Sequence, residues 1–237
     1  MVIFETVLTD VVVRAPGVKS FRFKPAGEAV FKAGQFFFVS IKIKDEERTK
    51  HFSFSNSPTE KGYIEFTKRI TGSEFSTALD GMKPGEWAKI KLPYGSFTLK
   101  EGVRKIAFLS GGIGITPIRS MCKFATDSAL GTDIVLLYGN NTERDIIFKE
   151  DFDKMASGNR SIKVIYTLTA EDADKSSWKG RTGFIDDRMV REEIPDFRER
   201  VFYVCGPPKM VGTLTSILKN TLNLKDDKIV TENFTGY

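Results

Sequence analysis

Two rhythms of apolar and polar positions divide the chain. From residue 1 to about 98, short apolar runs are broken every few residues by turn-forming dipeptides, the pattern of closely spaced β-strands. Strands are expected at 11–13, 21–23, 36–43, 52–54, 63–70 and 87–92. Turns are expected at Pro16-Gly17, Lys44-Asp45, Ser57-Pro58, Lys61-Gly62 and Pro84-Gly85. One helix, over about 76–81, interrupts them. Short strands at this spacing suggest an antiparallel barrel or sandwich. From Val103 onward the rhythm changes to strand alternating with helix. The strands are expected at 106–109, 134–138, 163–168, 201–204 and 228–230, and the helices at 117–125, 149–156, 187–191 and 209–220. This alternation predicts a parallel sheet covered on both faces, whose ligands bind beyond the carboxyl ends of the strands. The boundary falls near residues 100–104. The chain shows no internal repeat and no low-complexity tract.

Charge and cysteine usage narrow the chemistry. Lys and Arg outnumber Asp and Glu by 36 to 31, a net charge of +5, but the basic residues are dispersed among acidic neighbours. Nucleic-acid binding leaves a concentrated basic footprint, so that class is set aside. A basic face that attracts an acidic protein is the weaker alternative. No apolar run approaches the roughly 18 residues of a membrane span. The opening MVIFETVLTDVVVR contains Glu5 and Asp10 and has no basic leader, so it is read as the first strands, and a cytoplasmic location is expected. Two cysteines, Cys122 and Cys205, cannot supply the four thiolates of a typical iron–sulfur cluster. The single His51 speaks against an imidazole metal site, so no metal is expected. Any redox chemistry must therefore rest on an organic cofactor.

The richest stretch is residues 105–117, KIAFLSGGIGITP. An apolar strand stops at Ser110, and Gly111, Gly112 and Gly114 precede a helix that opens at Thr116-Pro117. Glycines let the backbone approach a ligand closely, and a helix start favours an anion such as a phosphate. Glycine turns also join strands to helices without binding anything, and on this stretch alone that reading stands beside the first. A second loop of the same placement, Tyr203-Val204-Cys205-Gly206-Pro207-Pro208, strengthens the ligand reading.

Taken in order, these motifs resemble the ferredoxin–NADP reductase family over essentially the whole chain. Lys50-His51-Phe52-Ser53 looks like the family's Arg-x-Tyr-Ser flavin motif, Pro93-Tyr94-Gly95-Ser96-Phe97 like the segment closing the flavin barrel, and Glu232-Asn233-Phe234 like the terminal Glu-x-aromatic. The resemblance implies an N-terminal antiparallel Greek-key β-barrel that binds FAD (residues 1–100), followed by a Rossmann-like parallel α/β domain that binds NAD(P)H (101–237). It implies hydride transfer between nicotinamide and flavin N5, then single-electron transfer to a separate acceptor such as ferredoxin, flavodoxin or a small molecule.

The same resemblance assigns roles. Ser53, Cys205 and Glu232 are the expected catalytic residues: Ser53 at the flavin N5 edge, Cys205 packed near the nicotinamide C4, Glu232 positioning nicotinamide and passing protons. Lys50 supplies charge for the pyrophosphate where family members generally carry Arg, and lysine lacks the bidentate fork. Phe52 keeps the ring of the usual Tyr but loses its hydroxyl. His51 is read as positional, and Phe54, Ser55, Thr67 and Lys68 complete the flavin strands. Ser76 and Thr77 resemble the helix start that meets the flavin pyrophosphate, the alternative being that Ser76 merely caps the helix. Gly111, Gly112, Gly114, Thr116, Pro117, Gly206 and Pro207 form the nicotinamide side, with Asn140 and Arg144 toward the adenosine. Arg144 suits a 2′-phosphate and Glu143 opposes it, so NADH and NADPH both stand. Phe234 and Tyr237 are rivals for stacking on the flavin. Cys122 is read as a buried small hydrophobe.

Two other functions compete: a non-catalytic NAD-sensing or electron-transfer subunit of a larger redox complex, and a flavin-free nucleotide-binding module. The accessory subunit of dihydroorotate dehydrogenase is similar, but its C-terminal iron–sulfur cysteines have no counterpart here.

Overall fold

In the computed structural model, which describes residues 1–170 and 178–234, the first half of the chain builds one antiparallel sheet. Its strands are β1 (Val2–Ala15), β2 (Val18–Phe23), β3 (Phe36–Ile43), β4 (Glu46–Ser53), β5 (Ile64–Arg69) and β6 (Trp87–Tyr94), in the order β4-β3-β6-β1-β2-β5. Helix α1 (Glu74–Gly81) lies between β5 and β6. Strand β1 turns the corner of the barrel. Val2–Val7 pair with β6, the register shifts between Leu8 and Asp10, and the remainder pairs with β2. A bulge of this kind bends a strand and lets it serve two sheets. The opening segment, read as several strands with only 11–13 bounded, is one long strand whose outward positions Glu5, Thr9 and Asp10 are solvated.

The barrel closes around phenylalanine. Phe21, Phe23, Phe37, Phe54 and Phe66 are all fully buried. Phe52 stacks on Phe66 at 4.1 Å between ring centroids, and the Ser55 amide donates to the Glu65 carbonyl at 2.9 Å, joining the two ends of the strand order. Strand β4 differs from expectation. It spans Glu46–Ser53, and Phe54 lies past its end. The Glu-Glu-Arg-Thr-Lys run hid it, since a strand exposed on both faces has no apolar alternation to read.

The second half contains β7 (Lys105–Gly111), α2 (Ile115–Asp127), β8 (Asp133–Asn140), α3 (Lys149–Gly158), β9 (Ile162–Leu168), β10 (Arg181–Thr182), α4 (Asp187–Glu193), β11 (Val201–Gly206), α5 (Pro208–Ser216) and β12 (Ile229–Asn233). The strands form a parallel sheet ordered β10-β9-β8-β7-β11-β12. The antiparallel barrel and the parallel α/β architecture expected from the two rhythms are thus both present. Strand β11 is buried at every position and β7 at all but its first, as strands covered on both faces must be. The short β10 was not anticipated, and regular helix α5 ends at Ser216, passing into a wider π turn over Ile217–Thr221. Sequence order reverses between β7 and β11, which opens a crevice at their carboxyl ends.

The halves are joined tightly. The Lys100 amide donates to the Tyr203 hydroxyl at 2.9 Å, and that hydroxyl donates to the Thr98 carbonyl at 3.1 Å. The connecting segment is thereby fastened to β11.

Candidate functional site

A cleft of about 990 Å³ separates the barrel from the carboxyl edge of the parallel sheet. Its barrel wall carries Lys50 to Ser53 from β4, Thr67 and Lys68 from β5, and the start of α1. The opposite wall is Glu232, Asn233 and Phe234 at the end of β12. Residues far apart in sequence meet here because β4 and β12 end toward the same crevice.

On the barrel wall, Ser53 is buried at the end of β4 and Phe52 stacks on Phe66. The His51 ring sits 5.3 Å from Phe36 and 5.8 Å from Phe38 between centroids. Lys68 is almost wholly buried; its Nζ donates to the Arg69 carbonyl at 3.0 Å. Desolvation, then the charge of Lys50, push its pKa down. Arg48 and Glu74 both line the cleft and have partners, Glu46 and Lys44. Lys50 and Lys68 have no carboxylate partner among the described residues, so this wall holds uncompensated positive charge. An anion there would relieve it.

Two expected flavin residues lie in the interior, and a third, Thr67, lines the cleft while its hydroxyl turns inward. Phe54 is fully buried and stacks on Phe31 at 3.8 Å between centroids. The Ser55 hydroxyl donates to Glu65 at 2.7 Å, and the Thr67 hydroxyl donates to Ser55 at 3.0 Å, its methyl-bearing side chain filling a buried polar network. The helix start also differs. α1 begins at Glu74 and is capped by Ser73, whose hydroxyl accepts from the Ser76 amide at 3.4 Å. Ser76 is buried and its hydroxyl accepts from the Thr71 amide at 2.8 Å, while Thr77 is exposed. The groups that reach the cleft are therefore Ser73, Glu74 and Phe75. A serine followed by an acidic first turn was a readable signal for this start.

At the carboxyl edge of the parallel sheet, β7 ends at Gly111 and a 3₁₀ turn over Gly112–Gly114 leads into α2. Gly112 has φ +53° and open space where a side chain would stand. Gly114 is packed so closely on β11 that an added Cβ would lie 2.5 Å from the Cys205 carbonyl oxygen. The turn is anchored from both neighbours. The Tyr138 hydroxyl donates to the Gly112 carbonyl at 3.0 Å, and the Ser110 hydroxyl to the Cys205 carbonyl at 3.1 Å. Thr116 and Pro117 are buried in the first turn of α2, where the missing proline N–H costs no helical bond.

Cys205 is fully buried and stands level with Glu232 in the β11–β12 register. Burial, and next the charge of Glu232, raise the thiol pKa, which disfavours the thiolate. Burial also raises the Glu232 carboxyl above its ordinary value. The Phe234 amide donates to the Gly206 carbonyl at 2.9 Å, which ties the end of β12 to the Gly206-Pro207 loop. Asn140, at the carboxyl end of β8, is 5% exposed, and both polar atoms of its side chain lack a hydrogen-bond partner among the described residues. The Tyr138 hydroxyl on the same strand donates to the Gly112 carbonyl and lies close enough to this amide to interact with it electrostatically. Buried polar groups without partners are rare, and this one faces the edge where nucleotides bind in such sheets. Arg144 is exposed in a turn closed by Thr142 and Asp145. Tyr237 lies outside the described residues.

The unpaired lysines, the open Gly112 and the orphaned Asn140 amide suit a phosphate-bearing dinucleotide beside a second cofactor. Among the described residues no cluster of His, Cys, Asp and Glu could hold a metal ion, and no helix is long and apolar enough to cross a membrane.

Comparison with known proteins agrees with this chemistry. A model of the oxidoreductase FAD-binding domain matches residues 6–99, and one of the oxidoreductase NAD-binding domain matches residues 108–215. One component of the Na(+)-translocating NADH-quinone reductase of Idiomarina loihiensis is 30% identical over 219 residues, covering 85% of this chain and 52% of that protein. The propane 2-monooxygenase reductase component of Mycolicibacterium goodii is 30% identical over 242 residues, covering 98% of this chain and 68% of that one. The chain spans about half the length of the first of these relatives. Among solved structures, the cytochrome b5 reductase domain of Ulva prolifera nitrate reductase has the same fold, with a TM-score of 0.83, 21% identity, and coverage of 98% of this chain and 97% of that one.

Proposed function

This chain belongs to the ferredoxin–NADP reductase family of FAD- and NAD(P)-binding oxidoreductases, and from that premise we propose that it accepts a hydride from NADH or NADPH and delivers electrons singly to a separate acceptor. The observation that carries the reading is the cleft itself, where the cationic β4–β5 wall faces Glu232 and Phe234 across one shared space. FAD is held by residues 1–100 and nicotinamide by residues 101–237. Bound flavin supplies the conversion of a two-electron hydride into single electrons.

The protein's own residues bind and orient. Lys50 and Lys68 offer two cations to a pyrophosphate, and the amides of the α1 start add a favourable dipole. Ser53 donates a hydroxyl hydrogen bond at the reacting edge of the flavin. The Gly112–Gly114 turn and Gly206-Pro207 leave room for the nicotinamide, with Cys205 packing beneath it. Glu232 holds a proton more readily than a surface carboxyl. The Asn140 amide takes up partners on the nucleotide, and Arg144 lies toward the adenosine. Phe234, which lines the cleft opposite Ser53, would offer its ring to the flavin when no nicotinamide is bound.

The acceptor is a ferredoxin- or flavodoxin-like protein or a small molecule; the names of two relatives, reductase parts of a glycine betaine monooxygenase and a propane 2-monooxygenase, favour an oxygenase system. Anaerobic mixing of the FAD-loaded protein with NADH or NADPH tests the reading. Bleaching of the flavin by either nucleotide supports it, and bleaching by neither overturns it.

A further inference from the structure

Arg119 is the most heavily bonded buried cation of the protein's interdomain seam, and it lies outside the cleft. It sits in the second turn of α2, the helix that follows the glycine turn, and is 6% exposed. Its Nη1 donates to the Ser55 carbonyl at 3.1 Å, its Nη2 to Glu60 at 3.0 Å and its Nε to Asp151 at 2.9 Å. Beside it, the Ser120 hydroxyl donates to the Asn56 carbonyl at 2.7 Å. The helix that carries the nicotinamide-side turn thus grips the barrel chain immediately beyond Ser53.

Ser55 is held from the other side as well. Its hydroxyl donates to Glu65, which accepts from Arg14 at 3.0 Å and from Arg22 at 2.8 Å. The Arg14 guanidinium lies 4.9 Å from the centre of the Phe148 ring, and the Arg119 guanidinium lies 5.5 Å from the same ring. The ring therefore joins the two arginines, and the path from Ser55 through Glu65, Arg14, Phe148 and Arg119 returns to Ser55. Phe148 has φ +59°, in the left-handed region that a bulky residue rarely adopts. Such strain persists only where the surroundings fix it, and it gathers at sites where geometry matters.

We propose that Arg119, braced by Phe148 and Arg14, is a positioning residue for hydride transfer: it sets the spacing between the Ser53 strand and the glycine turn. This rests on the function proposed above. Hydride transfer needs reacting atoms about 3–3.5 Å apart, and a displacement near 1 Å costs on the order of 100-fold in rate. A protein carrying two cofactors on two domains has no other way to hold that distance than through its seam.

The test uses the FAD-loaded protein and anaerobic stopped-flow reduction across a range of NADH or NADPH concentrations. Arg119→Lys keeps the charge and loses the fork. The limiting reduction rate at saturating nucleotide should fall about 10- to 100-fold, with FAD still bound stoichiometrically and the nucleotide dissociation constant little changed. Leu222→Ala, in the core on the far side of the parallel sheet, serves as a destabilised control and should keep the wild-type limiting rate. A wild-type limiting rate in Arg119→Lys overturns the proposal, as does an equal loss of rate in the control. Should Arg119→Lys fail to fold, Ser120→Ala decides: a slowed limiting rate supports the seam's role and an unchanged one refutes it. Failure of the wild-type protein to be reduced at all sinks the functional reading, whereas an unaffected Arg119→Lys sinks only this inference.

Discussion

Replacing Gly114 by alanine probes the tightest contact between the glycine turn and β11. The new Cβ would stand 2.5 Å from the Cys205 carbonyl oxygen, 2.6 Å from the Gly206 Cα and 2.7 Å from the Gly206 nitrogen. Ordinary contact begins at 3.4 Å, so 3.4 − 2.5 leaves a shortfall of 0.9 Å. All three obstructing atoms are backbone, and no rotamer change can clear them. Either α2 must lift from β11 or the end of β11 must bend away. Overpacking of this kind costs about 1–3 kcal/mol, which for a protein of this size is roughly 2–12 °C in Tm. The displaced turn should also lower the limiting rate of flavin reduction by about 10-fold or more. Gly112→Ala is the matched comparison, since that Cβ meets open space and the cost is the left-handed φ alone, about 1–2 kcal/mol. Differential scanning calorimetry and anaerobic stopped-flow on both variants provide the assay. A Gly114→Ala protein with wild-type Tm and wild-type reduction rate would refute the close seating of the turn on β11.

Three further outcomes are expected. Lys68→Met removes a buried cation that faces Lys50, so the FAD-free protein should melt higher while FAD affinity, read by flavin fluorescence, should fall about tenfold, equal to 1.4 kcal/mol; movement of both in the same direction would contradict the charge argument. Glu232 has a folded-state pKa raised above the ordinary 4.5, so its protonated form favours the fold, and that stability is lost as pH rises from 4.5 through the raised value. The Tm of Glu232→Gln should accordingly gain on wild type over that window and then level off; a flat difference would show that the carboxyl is not desolvated. Ser53→Ala should retain FAD yet slow its reduction by nicotinamide about tenfold, or 1.4 kcal/mol of barrier, and unchanged kinetics would remove Ser53 from the reacting edge.

The two-part architecture was legible because each half carries its own period: short strands with turn dipeptides, then strands alternating with helices. The glycine turn and Cys205 loop were legible too, since their residue types are dictated by backbone approach. What stayed hidden depends on register and on partners distant in sequence. Glu232 stands beside Cys205 only because β12 pairs with β11 in one particular register. Ser55 reads as a site residue by its place in a motif, yet its hydroxyl points into a polar network whose other members, Glu65 and Arg14, give no local sign of meeting; Thr67 joins that network and also lines the cleft. The start of α1 was misread by a few positions because Ser73 and Ser76 both look like caps, and only the path of the backbone decides which hydroxyl accepts from the first turn. Arg119 is invisible as a clamp for the same reason: its carboxylate partners come from a barrel loop and from α3.

The charges that disguised β4 have a use of their own. This strand is the last in its sheet and, among the described residues, is joined by a backbone ladder only to β3, so its other side presents amides and carbonyls that a strand from another molecule could zip onto. Glu46, Glu47, Arg48 and Lys50 make that approach costly, because an incoming chain would have to strip water from a row of ions. Neutralising Glu46 and Glu47, which stand outside the cleft, would invite fibrils or sticky dimers while leaving the cleft lining intact, and it marks the segment that a solubility engineer should leave charged.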